Sequence, residues 1–541
     1  TAIQRVLSKP MNIKRVSKDP TELTLFETNV DPIIRFMHKR EVTPSGWCNV
    51  KLNKSSHDSE MIPYSSCQIN LSCSHTDVSP VEKSKIAPIR IASFDIECTS
   101  IDGTFPNPKR DGDQIIQIGT TFQTYGEKEP FLRHIVSLGS CAPLNIPSCV
   151  IDCYDDEDDL LVAWAKLVRD LDPDIIIGYN IYGFDFWYMW ERVESKYNER
   201  LDEFSQLGRM IDDRSKMNKK VLASNAYGHN EYKIITTNGR FQIDIFESIK
   251  REHKLNSYKL DSVSEHFLGD HKENVPPSMI FKLFDGSAED RAVIASYCIK
   301  DTELPLRILN KLNILPNMIE MSNVTMVPID YLMTRGQQIK VFSQIVKETS
   351  KNNYVVPLIK RSDGKNEYTE DDTSYVGATV LQAKTDAYYK PVSCLDFASL
   401  YPTIMMANNL CYSTWVRDPK ILSRLKGALD FSEKESVVHR VNFVNDPDNK
   451  DDIYKVVTWD DERKENIHFF LQNKVGILPS ILKNLLAARK VAKKQMNQTS
   501  DPFLKSLLNG KQLALKVSCN SVYGFCGASN GMLPSLAIAS S

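Results

Sequence analysis

The 541-residue sequence lacks the features that mark membrane, secreted and zinc-cluster proteins. No apolar run approaches the length of a membrane-spanning helix, about 20 residues, and no signal peptide opens the chain. The twelve cysteines contain no C-x-x-C pair, and Cys149 and Cys153 have no histidine or second cysteine pair at zinc spacing. We therefore expect reduced thiols in an intracellular protein without a membrane partner.

Charge of one sign is also lacking, since 67 Lys and Arg residues face 69 Asp and Glu residues and the net charge is −2. This balance excludes a uniformly basic nucleic-acid coat, although a local basic channel stays possible. A hydrophobic share of 42% and a charged share of 25% are ordinary for a globular protein. The length suffices for about three or four domains. Because the first residue is Thr and not Met, we expect a truncated N-terminus.

A change in composition at Pro88 introduces the run I-R-I-A-S-F-D-I-E, which ends with Asp95 and Glu97. The run predicts a β-strand, on which residues two apart point to the same face. Two carboxylates side by side are unfavourable unless a cation lies between them. Solvated acids on a polar strand face are the alternative, but the apolar flanks favour a buried metal site.

Two later segments place carboxylates beside predicted regular structure. The run D-I-I-I-G-Y-N-I-Y-G-F-D predicts a buried strand over 175–177, a turn, and Asp185 at the head of a helix. A helix predicted over 292–306 carries Tyr297 and Asp301 four residues apart on one face, with Pro305 expected at a bend or at the helix end. The alternation of strands and helices predicts an α/β sheet. The acidic run 155–159 is interpreted as helix capping at the positive end of a helix and not as a site.

In order and spacing these segments resemble the motifs D-I-E, N-x-x-x-F-D and Y-x-x-x-D of the DnaQ-like, ribonuclease H-like 3′–5′ exonucleases. The resemblance implies two divalent metal ions about 4 Å apart, Mg²⁺ with Mn²⁺ as a substitute, and a Tyr297 that orients the attacking water. It implies that four carboxylates hold the ions: Asp95, Glu97, Asp185 and Asp301. The alternative, four purely structural acids, leaves the ordered spacing unexplained.

Residues 394–403 read C-L-D-F-A-S-L-Y-P-T and combine one acid with a turn and an aromatic residue. They predict a buried strand that delivers Asp396, a turn at Ala398 and Ser399, and a wall formed by Tyr401. A carboxylate, free backbone N–H groups and a ring suit a divalent metal that holds a triphosphate. An ordinary strand–turn–helix junction with a surface aspartate is the alternative.

Residues 474–516 contain nine basic residues and one acid, Asp501. Helices predicted over 479–496 and 509–524, with a turn at Asp501 and Pro502, form a basic helical hairpin. Four polar or cationic groups share faces at helical spacing, with Tyr523 one turn further on: Arg489, Lys493, Lys516 and Asn520. Facing helices would converge these groups on a point that suits a triphosphate. The alternative is a solvated charged face.

Two of these stretches and a third, at 375–378, resemble family B DNA polymerases, most closely the delta branch or relatives from large DNA viruses. D-x-x-S-L-Y-P at Asp396 matches the first palm motif, K-x-x-x-N-S-x-Y-G at Lys516 matches the fingers, and Y-V-G-A at 375–378 matches the motif between exonuclease and palm. The resemblance implies that the incoming nucleotide is bound by Leu400, Tyr401, Arg489, Lys493, Lys516 and Asn520. It implies DNA contacts at Tyr375, Gly377, Tyr523 and Gly524, and a metal ligand at Asp396.

The implied fold is multidomain, α/β and α+β. We expect a mixed N-terminal domain (1–88, returning over 311–374), the exonuclease domain (89–310), part of a palm (375–470, with an insertion near 420–465), helical fingers (471–524) and a truncated return to the palm (525–541). Phe26 to Met37, where the resemblance begins, is expected to form half-buried sheet.

The sequence lacks the third polymerase motif, Y-G-D-T-D, and the thumb, so we expect a C-terminally truncated fragment with a whole exonuclease. The implied parent activity is template-directed DNA synthesis with proofreading, in DNA replication. The implied partners are primer–template DNA, deoxynucleoside triphosphates and a sliding clamp, in the nucleus or at a viral replication site. An exonuclease-only protein, or a non-catalytic DNA-binding relative, is the alternative, which the gene sequence beyond Ser541 would distinguish.

Overall fold

The computed structural model describes residues 6–7, 9, 11, 19–21, 23, 25–52, 63–83, 85–224, 228–270, 275–358, 361–362, 365–366, 381–428, 443–449, 451–458, 467–528 and 531–541. These residues divide into two compact units. The sheet unit comprises Gly46–Met318 and Ile329–Arg335, and the helical unit comprises Thr1–Ser45, Ile319–Pro328 and Gly336–Ser541. None of the described helices combines the length and apolarity that crossing a membrane would require.

The strands, in chain order, are β1 (Trp47–Val50), β2 (Val78–Val81), β3 (Arg90–Cys98), β4 (Ile115–Thr124), β5 (Leu132–Leu138), β6 (Cys149–Tyr154), β7 (Ile175–Gly178), β8 (Met217–Ser224), β9 (Gly228–Ile235), β10 (Phe241–Asp244), β11 (Arg361–Ser362), β12 (Lys365–Asn366), β13 (Phe443–Asn445), β14 (Ile453–Thr458) and β15 (Ile467–Leu471).

The α-helices are α1 (Pro32–Arg40), α2 (Glu157–Leu171), α3 (Asp185–Lys196), α4 (Leu201–Phe204), α5 (Ile245–Glu252), α6 (Leu260–Leu268), α7 (Pro277–Phe284), α8 (Ala288–Lys311), α9 (Ile314–Thr325), α10 (Tyr331–Thr334), α11 (Gln338–Lys351), α12 (Leu400–Ala407), α13 (Pro419–Gly427), α14 (Ile477–Gln498), α15 (Pro502–Gly527) and α16 (Leu536–Ser540).

A six-stranded mixed sheet in the order β10-β7-β3-β4-β5-β6 organises the sheet unit. Strand β3 pairs parallel with β7 and antiparallel with β4, and β5 pairs parallel with β6. One face of β3 packs on helices, since the Phe94 ring lies 5.1 Å from Trp164 of α2 and 5.0 Å from Phe186 of α3. Helix α8 covers the opposite face of β3 and β4. Both faces of β3 are covered, which fits its apolar sequence, and Glu97 near its end is buried.

The acidic run before α2 is not uniform. Asp156 is the N-cap of α2 but makes no side-chain capping hydrogen bond, so the expected helix capping describes this run only in part. Glu157 is instead buried and forms an ion pair with Arg192. Its carboxylate also accepts hydrogen bonds from the Ile115 N–H (2.8 Å) and the Tyr197 hydroxyl (2.7 Å). Glu157 therefore joins α2, α3 and β4.

Pro305 lies inside α8 and not at a bend or a helix end, so that prediction is wrong. A proline inside a helix costs about 3 kcal/mol through a lost hydrogen bond and a clash. The neighbouring Leu304, Leu306 and Ile308 are all buried, and burial of each apolar side chain contributes about 1.5–3 kcal/mol. Packing against the sheet unit's core offsets the local cost, and the helix continues.

The segment expected to be sheet near Phe26 to Met37 contains α1 instead, and that prediction is wrong. The Asp31 carboxylate accepts a hydrogen bond from the Ile33 N–H at 3.2 Å and so caps the helix. A proline follows at the first helical position, and the two together form a helix-start signal. The buried residues Ile34 and Met37 are three apart, which is helical periodicity.

The helical unit has a core shared by α11, α12, α14 and α15, including the buried Phe342, Met405, Leu482 and Val522. A smaller core lies between α13 and the antiparallel meander β13-β14-β15, around the buried Leu425 and Phe469. This second core falls largely within the 420–465 region, which therefore packs as a helix on a small sheet across its described residues.

Candidate active sites

Asp95 and Glu97 lie on the α8 side of β3, opposite Phe94. Strand alternation places residues two apart on the same face. One ligand atom each of Asp95, Glu97 and Cys298 lie within 4.8 Å of one another. Glu97 is buried and Asp95 is partly exposed, so the pair lies at the border of the core. The structure thus brings the first two predicted ligands together, and adds a sulfur atom from α8.

Asp185 begins α3, after a tight turn that leaves β7. The Asp185 carboxylate accepts a hydrogen bond from the Ile96 N–H at 3.3 Å, directly between the other two acids on β3. The turn needs Gly178, because a Cβ there would lie 2.7 Å from the carbonyl oxygen of Phe94. It also needs the left-handed backbone of Asn180, whose φ is 66°. The backbone therefore delivers Asp185 to the middle of β3.

Asp244, at the end of β10, holds this turn in place. The Asp244 carboxylate accepts hydrogen bonds from the N–H groups of Asn180 (2.9 Å) and Tyr182 (3.0 Å). It also caps α5 through the Phe246 N–H at 3.0 Å. Asp244 was not predicted from the sequence. The available signal was an aspartate at the end of the strand-like run 240–244, a position that favours N-capping of a following helix.

Helix α8 supplies Tyr297 and Asp301, both buried and one turn apart. The helix lies very close to β4, because a Cβ on Gly119 would lie 2.6 Å from Cys298 Sγ. The Cys298 thiol points to the carbonyl oxygen of Asp95 at 3.8 Å. A side chain at position 119 would displace the helix that carries Tyr297 and Asp301. Cys298 and Gly119 were not predicted as parts of the site, and neither residue forms a motif by itself.

The electrostatics of the site follow from its burial. Burial raises the pKa of Asp185 to about 7, the hydrogen bond from Ile96 opposes this shift, and the charges of Asp244 and Asp301 add to it. Burial likewise raises the pKa of Asp244 to about 7. Burial also raises the pKa of the Cys298 thiol well above its ordinary value, and the charges of nearby carboxylates act in the same direction. Carboxylates that raise one another's pKa values share one low-dielectric space.

The donor set fits a hard divalent cation. Carboxylate oxygens are the ligands that Mg²⁺ and Mn²⁺ prefer, and a cation would relieve the repulsion between the clustered acids. Cys298 contributes a sulfur atom to the same group, but a thiol is a softer ligand than Mg²⁺ or Mn²⁺ prefers.

A pair of aromatic rings, one exposed and one partly buried, lies beside Asp185. The ring of Phe105 is 75% exposed. It contacts Phe184, the residue before Asp185, edge to face at 5.5 Å between ring centroids. A large exposed ring next to a carboxylate cluster is a surface on which a flat apolar group, such as a base, can stack.

In the helical unit, α14 and α15 pack as the expected hairpin. Arg489 Nε lies 3.5 Å from Gln512 Oε1, which connects the two helices. Lys493, Lys516 and Asn520 are exposed. Gly524 is also exposed, and a Cβ there would meet no atom within 4 Å. The basic groups of the hairpin are thus available to an anion from solvent.

Tyr401 of α12 and Tyr523 of α15 lie against each other. Their rings stack with centroids 4.4 Å apart and planes 20° from parallel. Tyr401 is 41% exposed, and the Tyr523 hydroxyl donates to the Ala539 carbonyl at 3.3 Å. Leu400, the first residue of α12, is also 41% exposed. The stack joins the helix after the predicted palm motif to the predicted fingers.

Asp396 lies in an irregular stretch, and the prediction of a buried strand there is wrong. Residues 381–397 have no regular structure, and Leu395 and Phe397 beside Asp396 are 93% and 74% exposed. A strand is stable only when a neighbour satisfies its backbone groups, and no described residue pairs with this stretch. The expected turn at Ala398 and Ser399 is present, and Ser399 adopts a φ of 60° before α12. Tyr375 and Gly377 lie outside the described residues.

Comparison with known proteins identifies the family. Residues 23–263 match the exonuclease domain of DNA polymerase family B, and residues 327–541 match DNA polymerase family B itself. Tyr297 and Asp301 lie between the two matched regions.

DNA polymerase delta catalytic subunits are similar to nearly the whole chain. The subunit of Arabidopsis thaliana is 41% identical over 520 residues, which cover 95% of this chain and 44% of that protein. The subunit of Drosophila melanogaster is 40% identical over 552 residues, which cover 100% of this chain and 46% of that protein.

The fold is also that of a solved structure, the family B DNA polymerase from the hyperthermophilic archaeon Pyrobaculum calidifontis. The TM-score is 0.63 at 22% identity, with 96% of this chain and 56% of that chain covered. The chain spans less than half the length of the delta subunits that it matches. The predicted fold and family are confirmed, and the chain belongs to the family B DNA polymerases.

Proposed function

We propose that the sheet unit removes nucleotides from the 3′ end of DNA by metal-dependent hydrolysis of the terminal phosphodiester. The observation that carries this proposal is the convergence of Asp95, Glu97 and helix α8 on one face of β3. The match of residues 23–263 to the family's exonuclease domain supports it.

Each side chain has an assigned task. Divalent metal ions, Mg²⁺ or Mn²⁺, would be held by four carboxylates: Asp95, Glu97, Asp185 and Asp301. Such ions supply a reactive water at neutral pH and stabilise charge on the leaving oxygen. Tyr297, one turn before Asp301, orients the attacking water. The Ile96 N–H fixes the Asp185 carboxylate through its 3.3 Å hydrogen bond, so that this ligand needs no rearrangement on binding.

Phe105 and Phe184 are assigned to the substrate strand. Bases of a single strand stack on aromatic rings without regard to sequence. Phe105 is 75% exposed and adjoins Phe184, which precedes Asp185. A base stacked on this pair would bring the terminal phosphodiester to the carboxylates.

We further propose that the helical unit contributes the nucleotide-binding part of a DNA polymerase that acts in replication. The stack of Tyr401 on Tyr523 supports this, because it brings the two polymerase motifs together. The triphosphate would be bound by Leu400, Tyr401, Arg489, Lys493, Lys516 and Asn520. Asp396 would hold a metal ion, and DNA would contact Tyr375, Gly377, Tyr523 and Gly524. Primer–template DNA and deoxynucleoside triphosphates are then the substrates, with a sliding clamp as partner at a nuclear or viral replication site.

A two-metal nucleotidyl transfer needs two palm carboxylates. The motif for the second, Y-G-D-T-D, does not occur in these 541 residues. We therefore expect the 541-residue chain to shorten DNA and not to extend it.

One gel tests both parts of the proposal. A 5′-labelled primer annealed to a template is incubated with the chain and Mg²⁺, with and without the four deoxynucleoside triphosphates. We expect a ladder of shorter products in both lanes and no extension. The same primer labelled at its 3′ end should release the label as a mononucleotide.

Two outcomes would contradict the proposal. Immediate release of the 5′ label would show that the nuclease degrades DNA from the 5′ end and not from the 3′ end. Extension in the lane with triphosphates would mean that a second palm carboxylate lies elsewhere in the chain. The Asp95→Ala, Glu97→Ala double variant, purified identically, controls for contaminating nucleases.

A further inference from the structure

The outer edge of the six-stranded sheet is open among the described residues. Strand β6 is the last in the order, and β5 is its only described neighbour. An edge strand presents a row of unpaired N–H and C=O groups to which another extended chain can pair. This edge lies in the sheet unit, away in the strand order from β3 and its carboxylates.

A groove of about 300 Å³ runs between β6 and helix α2, and we call it the edge groove. Its walls come from β5, β6 and α2: His134, Val136, Asp152, Tyr154, Val162 and Leu167. In the register of β5 and β6, His134 pairs with Val150 and Val136 with Asp152, so these side chains share the face that looks toward α2. Val150 on this face is 44% exposed.

The floor of the edge groove is apolar. Val162 and Leu167 are only partly buried on α2, and Val136 beneath them is buried. A seventh strand added beside β6 would lie over this side of α2. Its alternate side chains would cover apolar surface that the six strands leave open.

The charged residues around the edge groove indicate which kind of segment could bind there. The two cations that line the edge groove already have acidic partners, Lys166 with Asp170 and Arg200 with Asp158 and Asp159, at 2.8 Å for each of the last two. Asp152 is different, since its side chain is 53% exposed and its described partner is the buried imidazole of His134, at 3.0 Å.

The imidazole leaves the negative charge of Asp152 uncompensated. Burial lowers the pKa of His134, although the charge of Asp152 opposes the shift, so His134 is neutral at pH 7. Asp155 and Asp156 follow β6 directly and are exposed. The edge therefore carries excess negative charge, which repels nucleic-acid phosphates and attracts basic side chains.

We propose that β6 accepts an extended, basic segment of a partner protein as a seventh strand, with apolar side chains in the edge groove and Lys or Arg side chains beside Asp152. Main-chain hydrogen bonds would give affinity, and the alternation of apolar and basic residues would give selectivity. The surface is separate from the carboxylates on β3, so the segment can be bound while the nuclease acts.

The test uses three fluorescein-labelled nine-residue peptides and the 541-residue chain, measured by fluorescence anisotropy. The first peptide alternates valine with lysine, and the second alternates valine with glutamate. The third repeats the basic sequence with N-methyl groups on alternate backbone amides, which removes donors for strand pairing but keeps the charge. We expect the first peptide to bind. The second and third should each bind at least about tenfold more weakly, since several hydrogen bonds or favourable charges are lost.

Protein variants and hydrogen exchange locate the binding. Asp152→Lys should weaken binding of the basic peptide about tenfold. Asp152→Asn keeps a hydrogen bond to His134 and should weaken it less. Glu265→Lys, the same charge reversal at an exposed position on α6, should leave binding unchanged. Amides of residues 149–154 should exchange more slowly when the basic peptide is bound.

Three results would overturn the proposal. Equal binding of the N-methylated peptide would exclude strand pairing, and equal binding of the glutamate peptide would exclude charge selection. Unchanged exchange over 149–154 at saturating peptide would place the binding elsewhere. Circular dichroism spectra of the variants exclude unfolding as the cause of weaker binding.

Discussion

Asp95 and Asp396 each lie in a motif that resembles a metal-binding motif of the same polymerase family, but their surroundings differ. Asp95 lies on β3, which has a hydrogen-bonded neighbour on either side and helices on both faces. Asp396 lies in a stretch without regular structure, between side chains that are 93% and 74% exposed. The first carboxylate is carried by a paired and covered strand, and the second by a stretch that has no strand partner among the described residues.

The difference shows that a motif specifies residue types, whereas strand pairing fixes where they point. Burial raises pKa values around β3, since clustered acids there have little water to screen them. No comparable cluster involves Asp396 among the described residues. We therefore expect the carboxylates of the sheet unit to act as one tightly coupled group. The exposed lysines of the helical unit should act as separate charges that hydrogen bond to a bound anion and are weakened by salt.

The largest effect is expected when the carboxylates of Asp95 and Glu97 are removed. The Asp95→Ala, Glu97→Ala double variant should lower the rate of 3′ degradation of single-stranded DNA about 10³-fold or more, because metal ions contribute several kcal/mol to such reactions. The fold should persist, since removing two clustered negative charges relieves repulsion. A nuclease assay with a circular dichroism control measures this. Undiminished Mg²⁺-dependent cleavage would mean that β3 does not carry the reaction.

The next effect concerns the exposed lysines. Replacing both Lys493 and Lys516 by Ala should weaken binding of a fluorescent deoxynucleoside triphosphate by roughly 10²-fold, because each charge-assisted hydrogen bond contributes about 1.5–3 kcal/mol. Affinity of the parent chain should also fall steeply with salt, since the lysines are exposed. Lys505→Ala, an exposed lysine near the start of α15, is the matched control. If the double variant bound the nucleotide as tightly as the control variant does, the hairpin would not be part of the binding site.

A smaller effect is expected at the exposed ring beside the carboxylates. Phe105→Ala should raise the KM for single-stranded DNA roughly tenfold, because stacking contributes about 1–3 kcal/mol per base, and should change kcat little. Ile101→Ala removes a neighbouring exposed side chain, 73% exposed and without a ring, and controls for lost apolar area. Equal KM values for the two variants would argue against stacking.

The smallest effect is expected on stability, where α8 packs against β4 at Gly119. Gly119→Ala should destabilise the chain by about 1–3 kcal/mol, because the new Cβ would lie 2.6 Å from Cys298 Sγ. Adding Cys298→Ala removes the sulfur and should restore part of the loss in the double variant. Thermal unfolding of both single variants and the double variant measures the coupling. Strictly additive losses would mean that the two residues do not interfere as described.

Much of the sheet unit could be predicted from sequence because its signals are local. The strand with Asp95 and Glu97, the head of α3 at Asp185 and the helical spacing of Tyr297 and Asp301 depend on neighbours along the chain. The family and its fold followed from motifs in order and are confirmed. The roles of the individual residues stay predictions.

The errors come from interactions between distant segments or from overlooked local signals. Asp244 holds the turn before α3, and Gly119 lies against α8, through contacts between segments that are distant in sequence. Pro305 stays helical because packing outweighs its local preference. The strand predicted before Asp396 is absent because it has no pairing partner among the described residues, and a local sequence pattern does not reveal whether a partner is present. The start of α1 at Asp31 and the proline after it, in contrast, was a readable local signal.

The buried ion pair of Glu157 has a consequence for interpreting sequence variants. Five consecutive acids, 155–159, look interchangeable in the sequence, yet only Glu157 is almost fully enclosed, at 2% exposure. Losing one partner of a buried ion pair costs about 3–5 kcal/mol, whereas exposed acids change stability by about 0.5 kcal/mol or less. A substitution at Asp155 or Asp156 should therefore be tolerated in a population. The same substitution at Glu157 would break the contacts that connect α2, α3 and β4. A variant of this kind should therefore fold poorly.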